Sequence, residues 1–266
     1  MGFAVGYGLI RYGNRSIFYD ISEEVLRKIR EKGYQVSNNL EKLIQDTDII
    51  FICVPSENTL YEYDDSIIFE LTHQLRRVLR TASDSKILVY KSTVLPGTMR
   101  KVADTLGNMR WQHFLVYNPE FSRERSAIND FLHPDRIVIG IEEKIEEAKR
   151  ILNSIYLPFG APMFYVSFPT AEIVKLWSNI ALATRISLTN FIGRICEKID
   201  VEPEEASRIV HMDRRLGDYG SEYGRPFAGK CLPKDLKAFI QFLDSIGIDS
   251  SFLREVRKVN VDMGGR

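Results

Sequence analysis

Cysteine and histidine are scarce in this sequence of 266 residues. The three cysteines, Cys53, Cys196 and Cys231, are odd in number and far apart, so they give neither a disulfide framework nor a zinc-binding spacing. The four histidines are scattered along the chain. We therefore expect no metal site in this protein.

An excess of charge of one sign is also absent, because 36 Lys and Arg residues balance 36 Asp and Glu residues. No overall field attracts nucleic acid or an anionic membrane, so an anionic ligand has to be held by local groups. No apolar run is long enough to span a bilayer, and the N-terminus lacks the pattern of a secretory signal. We expect a cytoplasmic protein without nucleic-acid or membrane partners.

Apolar residues make up 44% of the sequence, enough for a full core, and predicted helices and strands alternate along its first part. Continuously apolar strands are typical of a parallel sheet covered by helices on both faces. We therefore expect a Rossmann-like α/β domain over residues 1–168, with a doubly wound and mostly parallel sheet. Strands are predicted at 15–20, 48–55, 86–90, 114–117, 137–141 and 163–166, and helices at 1–13, 22–32, 40–46, 65–81 and 142–156.

The first predicted strand ends at Asp20. An acid at this place in a dinucleotide-binding unit accepts hydrogen bonds from the ribose. The strand and Gly-x-Gly turn that open such a unit are missing from the numbered sequence, and Gly2 stands where the last glycine of the turn would fall. An aspartate at a strand end is more often a turn or cap residue, although Ser22 is an equally good cap here.

Helices dominate from Pro169 onward, which predicts a helical domain over residues 169–266. Thr170 is predicted to cap a long helix that reaches about Lys198. Shorter helices are predicted at 202–210, after 235, and at 251–261. Residues 213–230 are rich in Gly, Tyr and Arg without periodicity, so they form either a phosphate-binding loop or only a connector.

The long helix places Glu172, Lys175 and Asn179 on one face, at steps of three and four residues. A cation and an amide on one helical face can bind an oxyanion. The alternative is that Glu172 and Lys175 form an ordinary solvated ion pair.

A thiol, an amine and a carboxylate lie close together in the stretch Gly229-Lys-Cys-Leu-Pro-Lys-Asp235. Pro233 suits the first turn of a helix, which predicts that Cys231 lies just ahead of a helix N-terminus. The helix dipole and a nearby lysine favour thiolate there, so Cys231 is a candidate nucleophile. The alternative is that Cys231 is a small buried hydrophobic residue.

Five segments in this order resemble the nucleotide-sugar 6-dehydrogenases, the family of UDP-glucose and GDP-mannose 6-dehydrogenases. They are Asp20, Lys91-Ser-Thr-Val94, Asn118-Pro-Glu-Phe121, Glu172 to Asn179, and Cys231-Leu-Pro-Lys-Asp235. The resemblance implies a Rossmann-like fold, NAD as cofactor and a nucleotide sugar as substrate, with UDP-glucose expected. It implies two oxidations of the sugar's C6 alcohol, through a thiohemiacetal and a thioester on Cys231.

The same resemblance implies roles for individual residues. Lys175 would stabilise the alkoxide, Asn179 would position the C6 oxygen, and water and protons would be handled by Thr93, Glu120 and Asp235. The residues expected at the cofactor are Gly2, Asp20, Val54, Pro55, Thr93, Glu124 and Lys234. The residues expected at the substrate are Glu120, Phe121, Lys175, Asn179, Arg215, Phe227 and Gly229.

The sequence also departs from the family pattern. The first strand and the third domain of the family are not found in it, and the glycine pair before Cys231 is Ala228-Gly229. Two alternatives therefore stand beside the enzyme: a non-catalytic relative that keeps only the dimeric scaffold, and a dehydrogenase of simple hydroxyacids. Cys231 speaks against the second, since a single alcohol oxidation needs no thiol. By resemblance, the long helix and its neighbours predict a homodimer.

Overall fold

The computed structural model describes residues 1–57, 62–108, 113–123, 126–142 and 145–265. The chain forms two compact units. The first comprises Met1–Ser56 and Asp65–Ile173, and the second comprises Glu57–Asp64 and Val174–Arg266. The boundary expected between residues 168 and 169 stays a prediction.

The first unit contains seven described strands in two sheets. Strands β1 (Phe18–Tyr19) and β2 (Val36–Ser37) form a parallel pair of their own. The larger sheet has the order β3-β4-β5-β6-β7, and only its β5–β6 pair is antiparallel. Its strands are β3 (Ile49–Ile52), β4 (Ile87–Tyr90), β5 (Phe114–Tyr117), β6 (Ile137–Gly140) and β7 (Met163–Val166).

Helices follow most of these strands, which confirms the predicted Rossmann-like α/β fold. Strands β4, β5 and β6 are buried at every position, as their apolar sequences require. The described helices of this unit are α1 (Gly2–Arg11), α2 (Glu23–Glu31), α3 (Leu40–Gln45), α4 (Ser66–Leu79), α5 (Thr98–Leu106), α6 (Ala127–Leu132) and α7 (Ile145–Tyr156).

Small residues let helix α1 approach its neighbours closely. A Cβ atom at Gly6 would lie 2.4 Å from the ring of Phe18 in β1, and a Cβ atom at Gly8 would lie 2.4 Å from the ring of Phe131 in α6. Both distances are far below van der Waals contact, so neither position accepts a larger residue without movement of an aromatic ring.

The second unit is helical, as predicted. Helix α8 (Phe168–Lys198) begins in the first unit and continues into the second, where α9 (Pro203–Val210), α10 (Cys231–Ser245) and α11 (Ser251–Asp262) follow. None of the described helices is long and apolar enough to cross a membrane.

The predicted cap of α8 is wrong. Thr170 lies within the first turn, and its backbone N–H donates to Ser167 Oγ at 3.4 Å. The two hydroxyl oxygens are 2.9 Å apart. Ser167 therefore takes the capping position, because the helix begins three residues earlier than the sequence suggested.

Candidate active site

The carboxyl ends of β4 and β5 carry a buried polar cluster. Lys91 Nζ donates to the backbone oxygen of Asn118 at 3.2 Å and to Asn118 Oδ1 at 2.8 Å. It also lies 3.3 Å from Glu120 Oε2. Because a buried ammonium group needs acceptors on several sides, Lys91 draws the ends of the two strands together.

Glu120 is held by the turn that follows β5. Its Oε1 accepts hydrogen bonds from the backbone N–H groups of Phe121 and Ser122, both at 3.1 Å. The guanidinium carbon of Arg136 lies 4.1 Å from the centre of the Phe121 ring. The carboxylate of Glu120 is therefore oriented at the carboxyl edge of the sheet, where ligands bind in folds of this kind.

Burial raises the pKa of two other groups in this region. The hydroxyl of Tyr156 donates to Asn118 Oδ1 at 2.7 Å, and burial holds its pKa well above its usual value. Burial also raises the pKa of Cys53 to about 11, an effect that the charge of Lys91 partly opposes. Cys53 is therefore a thiol at neutral pH and a poor nucleophile.

Thr93, Val54 and Pro55 lie at the ends of adjacent strands. Ser92 Oγ donates to the backbone oxygen of Val54 at 2.6 Å, which joins the end of β4 to the end of β3. Val54 and Thr93 are half-buried and Pro55 is exposed. These three residues predicted for the cofactor are thus brought to one edge of the sheet.

Gly2 and Asp20 are the predicted cofactor residues near helix α1. Gly2 is the first residue of α1, and a Cβ atom there would lie 3.6 Å from Cys53 Cβ. Asp20 follows β1, is half-buried, and accepts the backbone N–H of Ser22 on Oδ1 at 2.9 Å. Within the described part of the chain, its Oδ2 has no hydrogen-bond donor from the protein. That oxygen can accept a hydrogen bond from a ligand hydroxyl, so the predicted role of Asp20 stays a prediction.

Glu172 has a role that the sequence did not reveal. It is fully buried, and its two carboxylate oxygens accept the backbone N–H groups of Gly97 and Met99, both at 2.8 Å. These groups belong to the start of α5, where Gly97 has no side chain to act as a cap. Burial raises the pKa of Glu172 although both hydrogen bonds lower it. The alternative of a solvated ion pair is therefore wrong.

In the second unit, Asp235 is the centre of another buried cluster. Asn179 Nδ2 donates to Asp235 Oδ2 at 2.6 Å. Lys234 Nζ lies 3.1 Å from Asp235 Oδ1. The two groups form an ion pair, but their relative orientation is not that of a hydrogen bond. Lys175 is buried one turn before Asn179 on α8. A carboxylate, an amide and an ammonium group can together orient water and an oxyanion.

Cys231 is exposed and is itself the first residue of α10. The prediction that Cys231 lies just ahead of the helix is wrong by one residue, because Lys230 is the capping position. Pro233 is the third helical residue, which confirms its predicted place in the first turn. Lys230 Nζ lies 3.6 Å from Glu57 Oε1. The alternative of a buried hydrophobic cysteine is excluded by the exposure of its side chain.

The loop before α10 holds three further predicted residues. Phe227 is buried, and Gly229 is exposed with φ +78°, a conformation that favours glycine. Arg215 has a side chain that is 89% exposed and pairs with Asp213. Glu124, also predicted at the site, lies outside the described residues. The described residues contain no group of three or more His, Cys, Asp or Glu side chains placed to hold a metal ion.

Comparison with known proteins places the chain among the dehydrogenases of nucleotide sugars. The model of the UDP-glucose/GDP-mannose dehydrogenase family, NAD binding domain, matches residues 9–160, and the model of the central domain matches residues 169–262. The UDP-glucose 6-dehydrogenase of Rickettsia conorii is 36% identical over 241 residues, which cover 90% of this chain and 54% of that protein.

Two further relatives are similar to this chain over most of its length. UDP-glucose 6-dehydrogenase YwqF of Bacillus subtilis is 34% identical and is matched over 94% of this chain and 57% of its own length. A solved UDP-glucose dehydrogenase from the hyperthermophilic archaeon Pyrobaculum islandicum superposes with a TM-score of 0.90 at 29% identity, covering 97% of this chain and 65% of that one. This chain thus spans little more than half the length of these curated relatives. It belongs to the UDP-glucose/GDP-mannose dehydrogenase family.

Proposed function

We propose that this protein is an NAD-dependent nucleotide-sugar 6-dehydrogenase that oxidises UDP-glucose to UDP-glucuronate. The observation that carries the proposal is the first turn of α10, which presents an exposed Cys231 one turn before Asp235, itself bound to Asn179. A thiol at a helix N-terminus is suited to covalent catalysis, and a simple alcohol oxidation would not require one. The names of the relatives support the substrate class.

In the proposed reaction, Cys231 captures the C6 aldehyde. Removal of the alcohol proton and of a hydride from C6 gives the aldehyde, and addition of the thiol gives a thiohemiacetal. Loss of its hydroxyl proton and a second hydride gives a thioester, and water then releases the acid and the free thiol. This covalent capture keeps the aldehyde bound between the two oxidations. When bound, NAD⁺ would supply the hydride acceptor for each oxidation.

The other side chains are assigned by charge and geometry. Lys175 would stabilise negative charge on the C6 oxygen, and Asn179 would position that oxygen. Asp235 and Glu120 are carboxylates that can take a proton from water, with Thr93 as a hydroxyl partner. Phe121, Phe227, Gly229 and Arg215 are proposed at the nucleotide sugar.

Most of the residues proposed to hold NAD belong to the first unit. The unoccupied oxygen of Asp20 fits the ribose, and Gly2 leaves room at the start of α1, where backbone N–H groups favour an anion. Val54, Pro55 and Thr93 would line the cofactor. Lys234 and Glu124 are proposed as further residues of this site.

A non-catalytic scaffold is the second candidate. The observation that favours it is the separation of β1 and β2 from the five-stranded sheet, since a divided sheet gives a less continuous support for a dinucleotide. NAD⁺ titration of the full chain by calorimetry separates the two candidates. Saturable binding that weakens in Asp20→Ala supports the enzyme, and absence of binding by a folded chain supports the scaffold.

Turnover is the direct test of the enzyme. The full chain is incubated with NAD⁺ and UDP-glucose, and both NADH and the sugar acid are measured. Cys231→Ser should abolish formation of the acid, whereas Cys196→Ala is the matched control and should retain it. Wild-type acid formation by Cys231→Ser would remove the covalent step from the proposal, and no NADH from a folded, NAD-binding wild type would contradict the activity.

We also propose a homodimer in which helix α8 packs against a second copy. In the chain alone, one face of α8 exposes apolar side chains that would be unfavourable in water. They are Trp177, Leu188, Ile192 and Ile195 of the helix and Ile199 directly after it, with exposed fractions between 43% and 68%. This set is called the α8 apolar face below.

A further inference from the structure

The loop between α9 and α10 is irregular, yet two buried asparagines bind its backbone as a neighbouring strand would. On α8, Asn190 Nδ2 donates to the backbone oxygen of Arg225, and Asn190 Oδ1 accepts the N–H of Gly224, both at 3.0 Å. On α11, Asn260 binds both backbone groups of one residue, Phe227. Its Oδ1 accepts the N–H of Phe227 at 2.7 Å, and its Nδ2 donates to the oxygen of Phe227 at 3.1 Å.

The amide of Asn260 has no room to move. The residue is fully buried, and a Cβ atom at Gly265 would lie 2.1 Å from Asn260 Nδ2. Gly265 also donates its backbone N–H to the oxygen of Asn260 at 2.9 Å. The turn that follows α11 therefore closes over the amide and holds it in the one orientation that serves Phe227.

Only residues 228–230 separate Phe227 from Cys231. Gly229 turns the chain with φ +78°. Lys230 is the N-cap residue of α10, and its ammonium group lies 3.6 Å from Glu57 Oε1. Because a connection of three residues has few conformations, the position of Phe227 restricts the position of Cys231. The place where Phe227 is held thus decides where the first turn of α10 begins.

We propose that Asn260 is a positioning residue for Cys231. By binding both backbone groups of Phe227, it holds residues 227–230 in the conformation that keeps Cys231 in the first turn of α10, next to the N-terminal N–H groups of the helix. The proposal rests on the proposed role of Cys231 as the nucleophile. Asn260 need not touch the substrate.

The test is the rate at which iodoacetamide alkylates Cys231 in the full chain, followed by mass spectrometry of each cysteine peptide. The thiolate is the reacting form, and Cys231 is already exposed, so its ionisation rather than its access limits the rate. In Asn260→Ala the first turn of α10 frays, and we expect alkylation at neutral pH to slow about two- to fivefold, the usual range for a helix-terminus effect.

Two features separate this effect from general unfolding. Cys196 is buried and should stay unreactive in a folded variant. At alkaline pH, where the thiol is ionised in every variant, the rates of wild type and Asn260→Ala should converge. Among the described residues, charged groups near Cys231 in the sequence include Lys230, which pairs with Glu57, and Lys234, which pairs with Asp235, and the substitution leaves both pairs unchanged.

The matched control is Asn190→Ala, which frees Arg225 and Gly224 but leaves Phe227 held. It should alkylate at the wild-type rate. The proposal is overturned if Cys231 is alkylated in Asn260→Ala at the wild-type rate or faster. It is also overturned if Asn190→Ala slows the alkylation of Cys231 as much as Asn260→Ala does. If Asn260→Ala exposes Cys196, Gly265→Ala decides the matter: its methyl group would lie 2.1 Å from Asn260 Nδ2, which forces the amide out of the position that serves Phe227 and should slow Cys231 likewise.

Alkylation needs neither NAD⁺ nor a nucleotide sugar. A chain that lacks turnover but shows the slowed reaction would contradict the proposed function and retain the positioning role. If the wild-type chain shows turnover but Asn260→Ala is alkylated at the wild-type rate, the proposed function is retained and the positioning role is contradicted.

Discussion

Glu172 Oε1 accepts a hydrogen bond from the backbone N–H of Met99 at 2.8 Å, across 73 positions of the sequence. Its second oxygen accepts the N–H of Gly97 at the same distance. One carboxylate on α8 thus caps α5, whose own capping residue is a glycine. Because α5 follows the loop that carries Thr93, the orientation of that loop depends on a residue far along the chain.

Replacement of Glu172 by alanine should destabilise the protein by about 1–3 kcal/mol, since two buried N–H groups lose their acceptor. The measurement is urea unfolding followed by circular dichroism. Glu146→Ala is the control, because Glu146 is exposed and forms an i,i+3 ion pair with Lys149, and it should change stability little. An Ala variant at 172 as stable as wild type would show that water replaces the carboxylate.

Asp130 should make stability depend on pH in the acidic range. Hydrogen bonds from Arg123 and Ser126 hold the pKa of this carboxyl well below its usual value of 3.8. A lowered pKa in the folded state stabilises the protein above 3.8, and this contribution is lost as the pH falls through the folded pKa.

The variant Asp130→Asn should therefore lose about 1–2 kcal/mol at neutral pH, a modest amount because the guanidinium of Arg123 is exposed. The difference from wild type should shrink as the pH is lowered below 3.8. Unfolding curves at a series of pH values check this, and a difference independent of pH would refute the ionic origin.

Gly193 on α8 is in close contact with Tyr223. A Cβ atom at position 193 would lie 1.9 Å from Tyr223 Cδ2, so the ring must be displaced in Gly193→Ala. We expect a loss of about 1–3 kcal/mol, typical of overpacking. In Tyr223→Ala the space is empty, and the added methyl group should then cost almost nothing. A double-mutant cycle of thermal unfolding measures this coupling, and additive effects would contradict the contact.

The proposed dimer is tested by a charge on the α8 apolar face. Ile192→Glu should produce a monomer at micromolar concentration in analytical ultracentrifugation, because a carboxylate cannot be buried in an apolar interface without a partner. Arg27→Glu, at an exposed position of α2, introduces the same residue elsewhere and should leave the dimer intact. A wild-type protein that is monomeric at these concentrations would end the proposal.

Much of the architecture could be predicted from local pattern. The strands around Val89 and Val116 are apolar runs of four residues, and both are buried at every position, as expected for burial on both faces of a sheet. The apolar run around Ile50 is fully buried only at alternate positions. Glycine and serine positions marked where helices end or begin, with errors of one to three residues such as the start of α8 at Phe168. The motif around Cys231 was visible because its residues are adjacent in the sequence.

By itself, then, the sequence determined the order of most helices and strands, although it missed β2, α5 and α6, and it determined the family and the thiol at the N-terminus of α10. Only the tertiary structure decided which polar groups meet: Glu172 with the N-terminus of α5, Lys91 with Asn118 and Glu120, and Asn260 with Phe227. The reason is physical. Periodicity reports which side of an element is buried, whereas the partner of a buried polar group is set by how distant elements pack, and no local pattern encodes that.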